Sequence, residues 1–424
     1  MNIAIVGAGF TGLSAAKKLL SNHHKVTLFE REDTIGGLAG TFKLSGWEWP
    51  IEKHYHHWFT NDTFALSLIS DLGLGSQLVF PPSVTSVYYK GLIYPFNSPV
   101  DVLTFGPLSF PTRLRVGALV AYLKFLPASW AMSLERFSAY EWLAKYFGQR
   151  AFDVIWKPLL SGKFGPFAKT VNMTWLWARV KKRTPRLGYL EGGYHILLEA
   201  LAHYVRKRGG TILLNTPFDG KWKEKFDATI ITTPTPIFAK LFPQLPKEYM
   251  KRITSIPHLH ALNLLLITHE KFLPSHYWLN INQPDFPFIG VIQHTNLMNC
   301  KHYGGNHLTW VANYLPPDHP YLKMDAKELF KVYLPYLKQI NPSFKYQISN
   351  IKYQIFFGPF AQPVFPINYS KIKPDFVTPI KNVYLANMDM VYPWDRGTNY
   401  AIELGYKVAE VVEKASSYQR SASS

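Results

Sequence analysis

Residues 3–37 constrain the chain more than any other stretch. Ile3-Ala4-Ile5-Val6 reads as a short apolar strand, and Gly7-Ala8-Gly9-Phe10-Thr11-Gly12 as a turn into a helix through Ala15, Ala16, Leu19 and Leu20. Lys25-Val26-Thr27-Leu28-Phe29 reads as a second strand, which ends at Glu30. Strand, G-x-G-x-x-G turn, helix, strand and acid, in that order, spell a dinucleotide-binding unit. Gly7 allows the tight turn, Gly9 lets main chain approach a pyrophosphate, and Gly12 lets the helix pack on the strand. Phe10 and Thr11 belong to the same phosphate-facing turn, and Glu30 suits the hydroxyls of an adenosine ribose. The fingerprint does not separate FAD from NAD. Arg31 to Gly37 favours FAD, because the pair Gly36-Gly37 lies just beyond the ribose acid, where main chain can run close to the diphosphate again.

With 424 residues, the chain has room for about two or three domains. A content of 47% hydrophobic and 17% charged residues describes a folded protein, apart from a Ser-rich tail from Ala415 to Ser424 that is expected to fray. The single cysteine, Cys300, excludes an intrachain disulfide framework and fits a reducing compartment, with packing as its simplest role. No basic-then-apolar leader precedes the first strand, so a cytoplasmic protein is expected, with peripheral attachment to the inner face of a membrane as an extension of that reading. The formal charge of +18, with concentrations at Arg179 to Arg186 and Arg206 to Arg208, favours anionic partners. These are a phosphorylated small molecule or an acidic membrane surface. No nucleic-acid module is legible, so nucleic acid is not expected as a partner.

Val116 to Met132 is nearly apolar apart from Lys124, but it is broken by Pro127 and is too short for a span, which takes ~20 apolar residues. It reads as a buried helix. The alternative is a helical surface that dips into one leaflet, with Arg113, Arg115 and Lys124 meeting lipid phosphates and Trp130 at the interface.

Further along, Thr41-Phe42 and Trp47-Glu48-Trp49 read as a strand pair around Ser45-Gly46, followed by the His-rich run Lys53 to Phe59. Residues 76–185 read as a mostly helical substrate region, possible membrane contact included. Apolar spacing predicts a helix from Ile196 to Val205, ended by Gly209-Gly210, and strands over Thr211 to Leu214 and Phe226 to Pro234. The nucleotide domain therefore returns over 186–233, after a first part over 1–75. Residues 234–375 read as a mixed-sheet substrate domain. A last strand, Asn382 to Asp389, and a helix from Thr398 to Val412 complete the nucleotide domain over 376–414, leaving 415–424 as the tail. The fold class is α/β with α+β character: a Rossmann-like FAD-binding domain built from discontinuous segments, a mixed-sheet substrate domain and a helical insert.

The glycine fingerprint with Glu30, Ile35-Gly36-Gly37-Leu38-Ala39-Gly40, Leu190-Glu191-Gly192-Gly193-Tyr194, Asp227 to Pro234, and Tyr384 to Asp389 before the closing helix together resemble the flavin-containing amine oxidase and protoporphyrinogen oxidase superfamily. That superfamily includes phytoene-desaturase-like enzymes and UDP-galactopyranose mutases. The resemblance implies non-covalent FAD, with Asp389 on the ribityl chain and Thr398-Asn399-Tyr400 presenting a helix N-terminus to the flavin N1/O2 edge, where a reduced flavin is negative. Two departures stand out: Leu38 replaces an arginine common after the glycine pair, and Asn387 replaces a common glycine. Lys53 to Thr60 is similar to the histidine-bearing loop of the mutases beside the isoalloxazine ring. His-x-His-His alternatively suits a metal, but no carboxylate or thiol spacing accompanies it, and no metal is assigned.

His56 and Arg396 are the candidate groups at the reacting centre, with Lys157 and Lys163 behind them. The leading reading is an enzyme, an FAD-dependent oxidoreductase that takes hydride from a bulky apolar or amphipathic small molecule onto flavin N5. A nucleotide-sugar mutase without net redox, and a flavin-free carrier that keeps the fold, are the alternatives.

Overall fold

The computed structural model describes residues 1–344 and 351–423, with side chains in the last helix described through Ala415. Asn2–Val6 lies at the centre of a five-stranded parallel sheet, ordered Thr211–Leu213, Lys25–Phe29, Asn2–Val6, Ala228–Ile231, Val383–Leu385. Ile3, Ala4 and Ile5 are fully buried, as expected of a parallel strand covered on both faces. The strands come from separate stretches of chain, so the discontinuous layout read from the sequence is the observed one. Helix Phe10–Ser21 buries Leu13, Ala15, Ala16 and Leu19. The closing helix, Thr398–Ser423, lies along it so closely that a Cβ on Gly405 would come 2.4 Å from the Thr11 carbonyl oxygen.

A second sheet has seven strands, in the order Lys352–Pro363, His258–Thr268, His307–Leu315, Gly290–Gln293, Trp278–Ile281, Thr85–Tyr89, Leu92–Pro95. His258–Thr268 is buried along its whole length. Helix Ala326–Ile340, started by an Asp325/Glu328 capping box, packs Leu329, Phe330, Tyr333 and Leu337 inward in the core that includes this strand. The hairpin Thr85–Pro95 joins this sheet from within the stretch read as helical. The helices that follow, from Pro99–Thr104 to Met173–Lys182, form the insert, whose core around Trp175, Phe164 and Phe147 is shared with the seven-stranded sheet through Leu259 and Tyr314.

Three local expectations change. Thr41–Phe42 pairs with Ile51–Glu52 rather than with Trp47 to Trp49. The amides of Glu48 and Trp49 go instead to the His302 carbonyl, at 2.9 and 3.1 Å. Helix Phe110–Phe125 is not a buried helix: Val116 and Leu123 are buried, while Phe125 is 80% exposed and Trp130, just beyond, 71%. Nor are its cations free for lipid phosphates. Arg113 donates to the Leu108 and Leu103 carbonyls, Arg115 to those of Tyr146 and Lys145, and Lys124 to those of Val180, Lys181 and Arg183. Finally, the closing helix continues past Val412 to Ser423, into the segment expected to fray; residue 424 and the side chains beyond Ala415 lie outside the described residues. Among the described residues no single helix is long and apolar enough to cross a membrane.

Candidate active site

The two glycine turns face each other at the carboxyl ends of the parallel strands. Gly7 has φ +105° and donates its amide to the Phe29 carbonyl at 2.8 Å. A Cβ on Gly7 would come 2.6 Å from Thr232 Oγ1, and one on Gly12 2.0 Å from the Gly7 carbonyl oxygen. Across the slot, Gly36 has φ +114° and donates to the Ala8 carbonyl at 2.9 Å, while a Cβ on Gly37 would sit 3.9 Å from Gly9 Cα. Side chains at Gly7, Gly12 and Gly36 would clash with the turns and their neighbours, and one at Gly37 would narrow the gap towards Gly9, where main chain would approach a diphosphate. Thr233 Oγ1, beside Gly7, and Tyr400 Oη, at the start of the closing helix, are buried without a partner among the described residues. Buried polar atoms rarely stay unpaired, so both fit a site whose ligand completes it. The residues present therefore fit a dinucleotide held across both turns.

A cavity begins beside the second turn, at Leu38, and continues past Gly397, Thr398 and Asn399 into a chamber containing His54, His56, His57 and Tyr314. The first amides of the closing helix have no intrahelical acceptor and form the positive end of its dipole. Thr398 Oγ1 accepts a hydrogen bond from Trp58 Nε1 at 3.0 Å and lies 2.6 Å from Tyr194 Oη, and Asn399 Oδ1 accepts from the Ala65 amide at 3.1 Å. These contacts fix the helix start against the His-rich run.

Each histidine of that run has a distinct partner. His54 Nδ1 lies 2.7 Å from the Asn263 amide nitrogen, His56 Nδ1 donates to the His54 carbonyl at 2.6 Å, and His57 Nδ1 lies 3.4 Å from Tyr277 Oη. The rings face the cavity, so part of each stays accessible, yet surrounding protein disfavours their charged forms. Burial is the largest cause in each case. It pushes His54 to about 3, with His56 and Arg396 adding to it; His56 to about 4, with Arg396 adding; and His57 to about 3, with Arg183 adding. With Nδ1 donating, neutral His56 keeps a lone pair on Nε2.

Opposite the histidines, Asp395 ties three segments together. Its carboxylate accepts from Arg179 at 2.6 Å, Lys163 at 3.4 Å and Trp175 Nε1 at 3.2 Å. Burial alone would raise this carboxyl, but Lys163 and Arg179 hold it below its usual value. Arg396 donates to Gln362 Oε1 at 2.8 Å and to Tyr314 Oη, whose ring lies under its guanidinium. Behind the chamber, Glu52 is 1% exposed and accepts from Tyr189 Oη at 2.7 Å; burial pushes it up to about 8.

Several candidate residues sit differently from the expectation. Both Glu30 oxygens already accept backbone amides, from Ala8 at 2.8 Å and Glu32 at 3.0 Å, so the acid also braces the turn. Arg31 forms an exposed pair with Glu32 rather than facing the diphosphate. Leu38 lines the cavity against Gly358, which makes that wall apolar where the family commonly has an arginine. Asp389 is 2% exposed, and its oxygens go to His258 at 2.8 Å and to Thr235. It organises the end of the strand rather than lining the cavity. Asn387 has φ −143°, which needs no glycine, and its side chain bonds the Thr233 carbonyl at 3.0 Å. Lys163 and Arg396 line the chamber, whereas Lys157 pairs with Asp153 outside it.

Residues 10–413 match the model of the flavin containing amine oxidoreductase family. The chain belongs to that family. Its relatives include a 15-cis-phytoene desaturase of Synechococcus elongatus, 26% identical over 51% of this chain and 50% of the relative. A chloroplastic protoporphyrinogen oxidase of Nicotiana tabacum is 27% identical over 46% of this chain and 34% of its own length. These matches thus span half or less of the relatives' length. Among solved structures, a reduced UDP-galactopyranose mutase superposes with a TM-score of 0.74 at 14% identity, covering 98% of this chain and 96% of that one, which shows a shared fold. Family membership implies a flavin cofactor. The residues that sequence reasoning missed here are Glu52, Asp395, Arg179 and Asn263. Asp395 lies next to Arg396 but no spacing marks it, and Arg179 is legible only as one of a basic run.

Proposed function

We propose that this flavin-family protein is an FAD-dependent oxidoreductase that oxidises a bulky apolar or amphipathic small molecule, with FAD held non-covalently. The observation that carries this reading is the continuous cavity that starts beside the glycine cradle, at Leu38 and Thr398, and opens into a chamber with apolar and aromatic walls and neutral imidazoles. Bound FAD would supply the hydride acceptor. Gly7, Gly9, Gly36 and Gly37 would hold its diphosphate, Glu30 the ribose, and the first amides of the closing helix the electron-rich edge of the ring. His56, neutral at physiological pH with Nε2 unprotonated, is suited to accept a proton from a substrate N–H or O–H as the C–H bond breaks. Arg396, fixed by Gln362 and Tyr314, orients the substrate from the opposite wall.

Family membership favours this reading over the mutase and over the flavin-free carrier. Its test is anaerobic mixing of the FAD-loaded protein with polyprenyl, porphyrinogen and amine donors. At least one should bleach the flavin absorbance, and His56→Ala should slow that step by about 10²-fold or more. No bleaching by any donor, or an unchanged rate in the variant, would remove the reading or the residue's role respectively.

The exposed side chains Phe110, Leu114, Tyr122, Phe125 and Trp130 on the insert, together with a net charge of +18, support peripheral attachment of this face to an anionic bilayer. Flotation with anionic vesicles should carry the protein up. A Phe125→Ser/Trp130→Ser double variant should stay in the dense fraction, and equal flotation of both proteins would refute the attachment.

A further inference from the structure

Five cations line the cavity, Lys163, Arg179, Lys182, Arg183 and Arg396, against two carboxylates, Asp62 and Asp395. Most of these charges are accounted for within the protein. Asp395 takes Lys163 and Arg179, Arg396 is committed to Gln362 and Tyr314, and Asp62 accepts the Phe59 amide at 2.8 Å. Lys182 and Arg183 are different. Among the described residues neither side chain forms an ion pair or a hydrogen bond: half-buried Lys182 acts on the Asp62 carboxylate only from beyond pairing distance, with its ammonium 5.0 Å from the centre of the Trp394 ring, and Arg183 is exposed.

An ordinary explanation for two cations at the end of helix Met173–Lys182 is that they compensate its C-terminal carbonyls. That role is already filled. Lys124, from another helix, donates to the carbonyls of Val180, Lys181 and Arg183 at 3.3, 3.0 and 2.6 Å. Arg183 instead sits close enough to His57 to disfavour its protonation, and close enough to Arg179 for the two guanidiniums to repel each other. Like charges gathered around one cavity raise the free energy of the empty protein, and an anion relieves it.

Resting on the reading of this cavity as a substrate chamber, we infer that the substrate carries an anionic group, a carboxylate or a phosphate, that seats on Lys182 and Arg183. Its apolar body then lies along Leu159, Ile281 and Ile289 towards His56. An arginine guanidinium receives either group through paired N–H donors, which a lysine ammonium cannot do in the same geometry. The chamber thereby selects amphipathic anions over neutral hydrocarbons and over amines, which its cations would repel.

The FAD-loaded protein is titrated with octanoate, octyl phosphate, octan-1-ol and octylamine, following both tryptophan fluorescence and flavin absorbance. At least one of the two anions should bind about tenfold or more tightly than the alcohol, and the amine most weakly. Whichever anion binds tighter identifies the head group. Arg183→Gln should bring the anions to the level of the alcohol, while Arg183→Lys, which restores the charge without the paired donors, should recover part of the preference. Alcohol and anions binding alike would overturn the inference. So would an undiminished anion preference in an Arg183→Gln protein whose flavin spectrum and circular dichroism match the parent. The tryptophan signal reports occupancy whether or not the flavin is ever reduced. An anion preference in a protein that no donor reduces would thus support the anion seat while sinking the oxidoreductase reading.

Discussion

Glu52→Gln isolates one buried acid from everything else in the cradle. Glu52 sits on the short strand Ile51–Glu52, is 1% exposed, and accepts one hydrogen bond from Tyr189. Burial raises its carboxyl from 4.5 to about 8, although Tyr189 works in the opposite direction. The folded protein therefore holds a proton on Glu52 between those values, while the unfolded chain releases it. The sign follows: the contribution of this group is fully present below about pH 4.5 and is lost as pH rises towards about 8. One proton corresponds to about 1.4 kcal/mol per pH unit, so raising pH from about 5.5 to about 7.5 should destabilise the parent by roughly 2 to 3 kcal/mol through this residue alone. In the glutamine variant the side-chain oxygen still accepts from Tyr189, but nothing ionises. Melting temperatures of both proteins, measured in the same buffers across that range, should diverge with the variant gaining at the alkaline end. Parallel curves would mean that Glu52 titrates near its ordinary value and that its surroundings admit water or a charge partner.

Other substitutions probe the cradle and the chamber. Gly7→Ala forces a side chain into φ +105° and against Thr232, so it should lower stability by about 1 to 3 kcal/mol and deplete bound FAD, read from the visible spectrum of purified protein. An FAD-replete variant would rule out the tight turn. Glu30→Ala removes a carboxylate that both braces Ala8 and suits the ribose; FAD affinity should fall by about 1.5 to 3 kcal/mol in an equilibrium titration, and an unchanged affinity would assign the ribose to other groups. Asp395→Ala leaves buried Lys163 and half-buried Arg179 without their shared counter-ion, which should cost about 3 to 5 kcal/mol in thermal or urea unfolding. A loss under about 1 kcal/mol would mean that the chamber's water already screens these charges.

What was legible in the sequence shares one property: it is local. The strand, glycine turn, helix and acid of residues 3–30 announce themselves because each needs a particular residue at a particular spacing, and the sheet confirms their order. Segments that return to the nucleotide sheet could be placed because a parallel strand buried on both faces reads as a continuous apolar run. Trp47-Glu48-Trp49 misled because apolar-polar-apolar alternation resembles a strand, whereas the true partner of its amides is the carbonyl of His302, more than 250 residues away. The helix Phe110–Phe125 misled for the converse reason: apolar composition cannot tell burial from an uncovered face. Asp389 was legible as a strand-ending acid, but its engagement with His258 and Thr235 depends on two other segments meeting it. The Asp395 cluster joins residues 163, 175, 179 and 395, and no spacing encodes such a meeting.

The interleaving of distant segments in one sheet bears on how the protein is made. A ribosome releases Asn2–Val6 long before Val383–Leu385, yet these strands are separated in the finished sheet only by Ala228–Ile231. Helix Phe10–Ser21 likewise waits for Gly405 to close over Thr11. Until the closing helix is made, the apolar face prepared for it stays uncovered. A cofactor site that includes the start of that helix would be completed only once the helix has been made. A nascent chain stalled before the closing helix would be prone to aggregation and chaperone capture, and flavin supply would act on yield by rescuing completed chains rather than by guiding early folding.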